Sequence, residues 1–395
     1  MKKTSTRIYS IDVFRGLTML FMIFVNDVAS VSNIPEWIGH KPANVDAMGL
    51  ADIVFPCFLF IVGLAIPFAL KAREKKGNNS IMLIYHIIIR SAALIILGVL
   101  MVNIPGLNAE ATGINKNLWA LIMLISAIMV WNVYPKSEGY KKYLFLSLKI
   151  IGFISLIILA IIYRGGNGEN IRHLRTSWWG ILGLIGWSYL YCSVLYILFK
   201  KKVPAMIIVF ILFLTFNILS RADALGSFSF IWIVGNGCVP IMTMAGLLTS
   251  LILLKHKNDF KPYTAMIKIM IFGVIMLIAG FILRPYFGIS KIIGTPTWAL
   301  YCSTIACVLF AFLYWLVDYK KISSWAVIVK PAGSNTLLTY LIPDIIYYLI
   351  WLFGITFLSD YFGDGFVGII RSIVFSFLVI GIAGILSRLK IKLQL

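Results

Sequence analysis

An all-α, polytopic integral membrane protein of about twelve transmembrane helices is the fold class this sequence predicts, and three observations predict it. First, of 395 residues 61% are apolar and only 13% charged, whereas a soluble domain is roughly 45–50% apolar and about 25% charged. Second, the mean hydropathy is +0.95. Third, the apolar residues fall into stretches of about 20, the length that crosses a bilayer. These values exclude a water-soluble enzyme and a nucleic-acid-binding module.

Charge or turn clusters break the chain into stretches near 13–32, 50–70, 81–103, 117–134, 143–163, 178–199, 203–220, 230–254, 264–284, 297–317, 334–358 and 365–388. The expected count is ten to twelve, because 203–220 is short and the last two stretches separate only at Ser359–Gly365. The first stretch is preceded by basic Met1–Ser10. It is not a cleavable signal, since it carries Asp12, Arg15 and Asn26 and lacks a small-residue cleavage site. A polar loop, 33–49, holds His40 and leads into the second stretch, whose first turn contains Asp52.

The formal net charge of +20 is explained by where the cations lie. Even-numbered connections and the two tails hold 22 of the 35 Lys and Arg, and odd-numbered connections hold 8. That asymmetry predicts both termini in the cytoplasm and supports an even number of spans. No nucleic-acid partner is needed to account for it; the expected partner is the lipid bilayer. Cys57, Cys192, Cys238, Cys302 and Cys307 all fall within expected spans, so they read as apolar packing residues. No cluster has zinc-ligand spacing, and no metal is predicted.

Polar groups inside a bilayer are costly and therefore candidates for function. The densest set lies in the first 70 residues. Asp12 and Arg15, three residues apart, share a helical face and can neutralise each other, or Arg15 can face an anionic ligand. Asn26 is 11 residues beyond Arg15, about 16 Å along a helix, which puts Asn26 and Asp27 near the outer end of the first span. Taken alone, such an asparagine is more often a helix-end cap or an interhelical hydrogen bond. His40 has the side chain best suited to moving protons near neutral pH, although a lone loop histidine is usually only solvated. Asp52 suits a helix N-terminus as a cap or dipole partner. Asn26, His40 and Asp52 all map to one outer mouth. Elsewhere, Arg90 and Arg371 each need a partner, His86, His173 and His256 are less promising, and Asn103, Asn217, Asn236 and Asn335 mark cavity-lining candidates.

At these residues the sequence resembles a known family. Ile11–Asp27, then a loop histidine, then Gly49-Leu50-Ala51-Asp52-Ile53-Val54-Phe55-Pro56 and Phe58-Leu59-Phe60-Ile61-Val62-Gly63 are similar to the heparan-α-glucosaminide N-acetyltransferase family of transmembrane acyltransferases. The likeness is greatest to its short bacterial branch of unknown function. The motif lies within 11–70 of what reads as a single domain, 1–395. Gly333-Ser334-Asn335-Thr336 and Ser290-Lys291 with Thr297-Trp298 resemble later family features. The resemblance implies transfer of an acetyl group from cytoplasmic acetyl-CoA to an amino sugar or envelope glycan across a bacterial inner membrane. It places the catalytic histidine at His40, as base or acetyl carrier, and the catalytic asparagine at Asn26, as oxyanion or orienting donor, with Asp52, Asp27, Arg15 and Asp12 in support.

Arg15, Arg90, Lys291 and Asn335 are the expected contacts to the acyl donor. Lys2, Lys3, Arg7, Arg73 and Lys75 flank the first two spans on the inner side, where phosphates are attracted. The chain departs from the family after the histidine, where the segment is longer and lacks Trp-x-Gly-Leu. It departs again at Asn103-Ile104-Pro105-Gly106-Leu107 and at Pro343-Asp344. Two other readings remain open: a secondary transporter of a small polar solute, and a non-catalytic binding relative. A homodimer is compatible with all three.

Overall fold

The structure is a computed structural model that describes residues 8–168, 170–199, 201–228, 230–257 and 262–394. Lys2, Lys3 and Arg7, expected on the inner rim, lie outside the described residues.

Among the described residues twelve long helices follow in order: α1 Tyr9–Val28, α2 Leu50–Glu74, α3 Ser80–Asn103, α4 Lys116–Trp131, α5 Tyr140–Ile162, α6 Gly180–Leu198, α7 Val203–Arg221, α8 Cys238–Lys257, α9 Pro262–Phe287, α10 Pro296–Leu313, α11 Thr336–Leu352 and α12 Gly365–Arg388. Among the described residues nine helices are long and apolar enough to cross a membrane. The other three are α4 and α11, which are apolar but shorter, and α1, which carries Asp12, Arg15 and Asp27. The protein is a polytopic all-α membrane protein. Helices are the economical answer in lipid because each satisfies its own backbone groups.

The element boundaries have local causes. α1 starts at Tyr9, ahead of residue 13, because the Asp318 carboxylate accepts from the free N–H groups of Tyr9 (3.0 Å) and Ser10 (2.8 Å). Asp318 itself sits in a π-helical turn, Tyr314–Tyr319, that follows α10. α8 starts at Cys238, later than the expected 230, because Gly235, Asn236 and Gly237 have φ of 60°, 50° and 87°. Such left-handed backbone cannot continue a right-handed helix. Asn79, Asn115 and Thr295 cap α3, α4 and α10 with their side-chain oxygens.

The interior is organised around α2 and α8. Of the apolar window of α8, 89% is buried within the protein, against 17% for α5 and 22% for α9, so α5 and α9 lie at the lipid boundary. α2 and α8 approach backbone to backbone. A Cβ on Gly63 would stand 1.7 Å from Thr243 O, and one on Gly246 would stand 1.8 Å from Phe60 O. Small residues permit this close helix packing in membranes. All five cysteines are buried and unpaired.

Both ends of the described chain lie on one face of the bundle. Arg15 on α1 donates to Gly333 O, Asn335 donates to Ile391 O, and Val133 N donates to Lys392 O. The opposite face is knitted together by the loops after α1, α9 and α11, through the Asp46–Arg284 ion pair and the Asn33–Asp364 hydrogen bond.

Candidate functional site

On that opposite face the N-terminus of α2 builds a compact polar centre. Gly49 enters the helix in extended conformation (φ −96°, ψ 179°). Its N–H donates to Asp52 Oδ2 at 3.0 Å, the reach-back bond of a capping box. A Cβ at Gly49 would fall 2.0 Å from Gly39 O, so glycine is required where the loop folds back on itself. The Lys41 N–H donates to the same oxygen at 3.1 Å. Asp52 Oδ1 stands 2.7 Å from His40 Nδ1. The Asp52 side chain is 2% exposed and that of His40 is 46%. A carboxylate only accepts, so we assign the imidazole proton to Nδ1. The Nε2 lone pair is then free to take a proton from whatever approaches through the exposed side.

Two distant segments complete this centre. Trp298 on α10 donates from Nε1 to Asp52 O at 3.1 Å. Lys291, in the loop before α10, places Nζ 3.2 Å from His40 Nδ1 and 3.4 Å from Nε2. Asp46 joins the two loops, because Oδ1 accepts from Ile289 N at 2.7 Å and Oδ2 from Arg284 Nε at 3.0 Å. Burial pulls the Lys291 ammonium below the usual lysine range, against the opposing attraction of Asp52.

The face that carries the termini holds a cavity of about 550 Å³. Arg15, Arg73, Lys76, His86 and Arg90 line it, with Met19, Met22 and Phe58 at greater depth, and among the described residues none that line it is Asp or Glu. The Arg90 guanidinium sits 4.8 Å over the Tyr189 ring, a contact that holds a cation at modest cost. Phe58 is six residues along α2 from Asp52, about 9 Å on the helix axis. One helix therefore links the cationic cavity to the His40–Asp52 pair.

The remaining expected residues are distributed as follows. Asp12 and Arg15 form the i, i+3 ion pair at 3.3 Å. Asp27 is buried and takes hydrogen bonds from Tyr347 and Arg371, which supplies the partner that Arg371 needed and ties α1 to α11 and α12. Asn26 is exposed, and among the described residues no hydrogen bond ties it to His40, Asp52 or Lys291. Lys291 and Asn335 do not line the cavity, although both were expected to contact the donor. Lys291 is beside His40, and the buried Asn335 amide donates to Ser387 Oγ and Ile391 O while its oxygen accepts from Leu393 N. That set holds the C-terminal segment. Sequence reasoning missed Lys76 and Asp46 and undervalued His86; a basic cluster at the end of α2 was the available signal for Lys76.

Two comparisons bear on these sites. Over 102 residues the chain is 32% identical to the heparan-alpha-glucosaminide N-acetyltransferase of Mus musculus, covering 26% of this chain and 15% of that protein. Over 97 residues it is 34% identical to the Homo sapiens protein of the same name, covering 25% of this chain and 14% of that one. The matched segment is thus about one-seventh of the curated relatives' length. A family described as a domain of unknown function, DUF5009, matches residues 7–234, more than half of the sequence, and the chain belongs to that family.

Proposed function

We propose that the protein is a membrane acetyltransferase that takes acetyl groups from acetyl-CoA on the face carrying its termini and delivers them to an amino sugar or envelope glycan on the other. The observation that carries this reading is the two-ended use of α2. Its N-terminal turn holds Asp52 against His40, and its later turns line a cationic cavity at Phe58, Ile61 and Arg73. The names of the two mammalian relatives support the reaction class. The excess of Lys and Arg in even-numbered connections supports a cavity that opens to the cytoplasm.

In this proposal acetyl-CoA supplies an activated thioester and a polyphosphate. Arg73, Lys76 and Arg90 attract the phosphates, with Arg15, paired to Asp12, beside them. His40 Nε2 acts as general base on the acceptor amine or hydroxyl, or carries the acetyl group itself. Asp52 holds the imidazole tautomer and orientation. Asn26, exposed at the outer end of α1, is left to contact bound substrate.

The test is direct. Purified protein is incubated with labelled acetyl-CoA and a panel of amino sugars, while binding is followed calorimetrically. Saturable binding and labelled product are expected, with product lost in His40→Ala. The reading is overturned if acetyl-CoA does not bind, or if His40→Ala leaves transfer unchanged. Uptake of an amino sugar into proteoliposomes without acetyl consumption would instead identify a transporter. Arg73→Ala and Arg90→Ala are each expected to weaken acetyl-CoA binding about tenfold, roughly 1.4 kcal/mol. Added salt should shrink that difference. Unchanged affinity in both would remove the cavity from the donor site.

A further inference from the structure

Acyl transfer builds negative charge on the carbonyl oxygen, and a donor positioned at that oxygen is usually the largest single catalytic contribution. The His40–Asp52 pair offers no such donor. The carboxylate only accepts, and the Nδ1 proton of His40 is engaged by Asp52 at 2.7 Å. Lys291 is the cation beside the pair. Its Nζ lies 3.4 Å from His40 Nε2, 3.4 Å from Ala51 O and 4.0 Å from Asp52 Oδ1. Its side chain is 25% exposed, so the charge is partly withdrawn from water, where it acts more strongly.

The loop that presents Lys291 is fixed at both ends. Asp46 accepts from Ile289 N and Thr295 Oγ1 accepts from Ser290 N. Asn217 on α7 donates to Gly294 O at 3.1 Å.

We propose that the Lys291 ammonium is the oxyanion-stabilising group of this site, a catalytic residue that hydrogen-bonds the acyl oxygen as the tetrahedral intermediate forms. The inference rests on the acetyltransferase reading above and adds a residue to it. Nζ stands nearly equidistant from the two ring nitrogens, 3.2 and 3.4 Å, which places the ammonium over the imidazole face and leaves the Nε2 lone pair open in the ring plane. That lone pair is the one that must take the acceptor's proton. A carbonyl brought to the Nε2 side lies within reach of the same ammonium. One N–H of the ammonium is directed to Ala51 O at 3.4 Å, and its others can hydrogen-bond the oxyanion as it forms.

The step balances. The acceptor nitrogen bonds to the carbonyl carbon and its proton moves to His40 Nε2. The carbon–sulfur bond then breaks, its electron pair leaves with the thiolate, and the imidazolium proton follows. Lys291 transfers no proton and returns unchanged. A purely structural role would pair Lys291 with Asp52 directly, yet that separation, 4.0 Å, is longer than either of its distances to the imidazole nitrogens.

The test compares variants that still bind acetyl-CoA, so that folding and donor binding are controlled. Lys291→Met is expected to lower kcat about 10²–10³-fold with little change in acetyl-CoA affinity. Lys291→Arg keeps a cation and should restore part of the rate. Methylammonium should partly rescue Lys291→Ala, which a structural role does not allow. His40, Asp52 and Cys302 surround the ammonium. Its lowered basicity places the alkaline loss of activity below the usual lysine range, and Lys291→Arg should move that limb upward.

The proposal is overturned if Lys291→Met keeps its rate while His40→Ala loses it. It is also overturned if neither arginine nor methylammonium restores activity in a folded variant. Wild-type protein that binds acetyl-CoA but acetylates no acceptor overturns the acetyltransferase reading instead, and the inference with it.

Discussion

Asp52→Asn is expected to reduce acetyl transfer by a factor on the order of 10²–10⁴ while leaving acetyl-CoA affinity intact. The size follows from what the carboxylate does. It accepts from the His40 imidazole and from the N–H groups of Lys41 and Gly49. An amide has one accepting oxygen and one donating nitrogen, so it cannot serve all three. If the oxygen keeps the two backbone donors on the buried side, the NH₂ group meets His40 Nδ1. The imidazole then shifts its proton to Nε2, the nitrogen that must be empty for general-base work. Steady-state rates with labelled acetyl-CoA, read beside calorimetric affinity, check this. A kcat within about threefold of wild type would show that Asp52 is only a helix cap. Asp52→Ala should also lower the melting temperature, because stranding buried donors costs about 1–3 kcal/mol.

The second large effect concerns the fold. Gly63→Leu or Gly246→Leu is expected to prevent α2 and α8 from meeting, at a cost of roughly 3 kcal/mol or more. The first added carbon would stand 1.7 Å from Thr243 O or 1.8 Å from Phe60 O, and both obstacles are backbone, which cannot rotate aside. The measure is the yield of monodisperse protein and its melting temperature in detergent. Gly381→Ala on α12 is the control, since a Cβ there meets nothing within 4 Å and alanine is the better helix former. Equal stability of Gly63→Leu and wild type would mean that α2 and α8 do not cross at these glycines.

Much of the architecture was legible from residue order. Among the described residues each of the twelve apolar stretches holds a long helix, including the short stretch at 203–220 and the late break near Gly365, and nine of these helices are long and apolar enough to cross a membrane. The physical reason is that lipid makes span length and apolarity local requirements. Boundaries were less legible where their cause was remote: α1 begins where Asp318, some 300 residues away, accepts its first N–H groups. The Asp12–Arg15 pair was legible because both residues lie on one turn. The partner of Arg371 was not, because Asp27 meets it only when α1 and α12 pack together.

The same division runs through the candidate site. The sequence alone determined a polytopic helical bundle, its cationic loops and a polar mouth near the N-terminus, all written in composition and short-range spacing. Only the tertiary structure decided that Lys291, 251 positions from His40, stands beside it, that Asn335 holds the C-terminal segment, and that Arg73, Lys76 and Arg90 share one cavity. Those are meetings of loops and helix ends from separate parts of the chain. They follow from how helices pack through glycine contacts and inter-loop ion pairs, and no local period of the sequence encodes them.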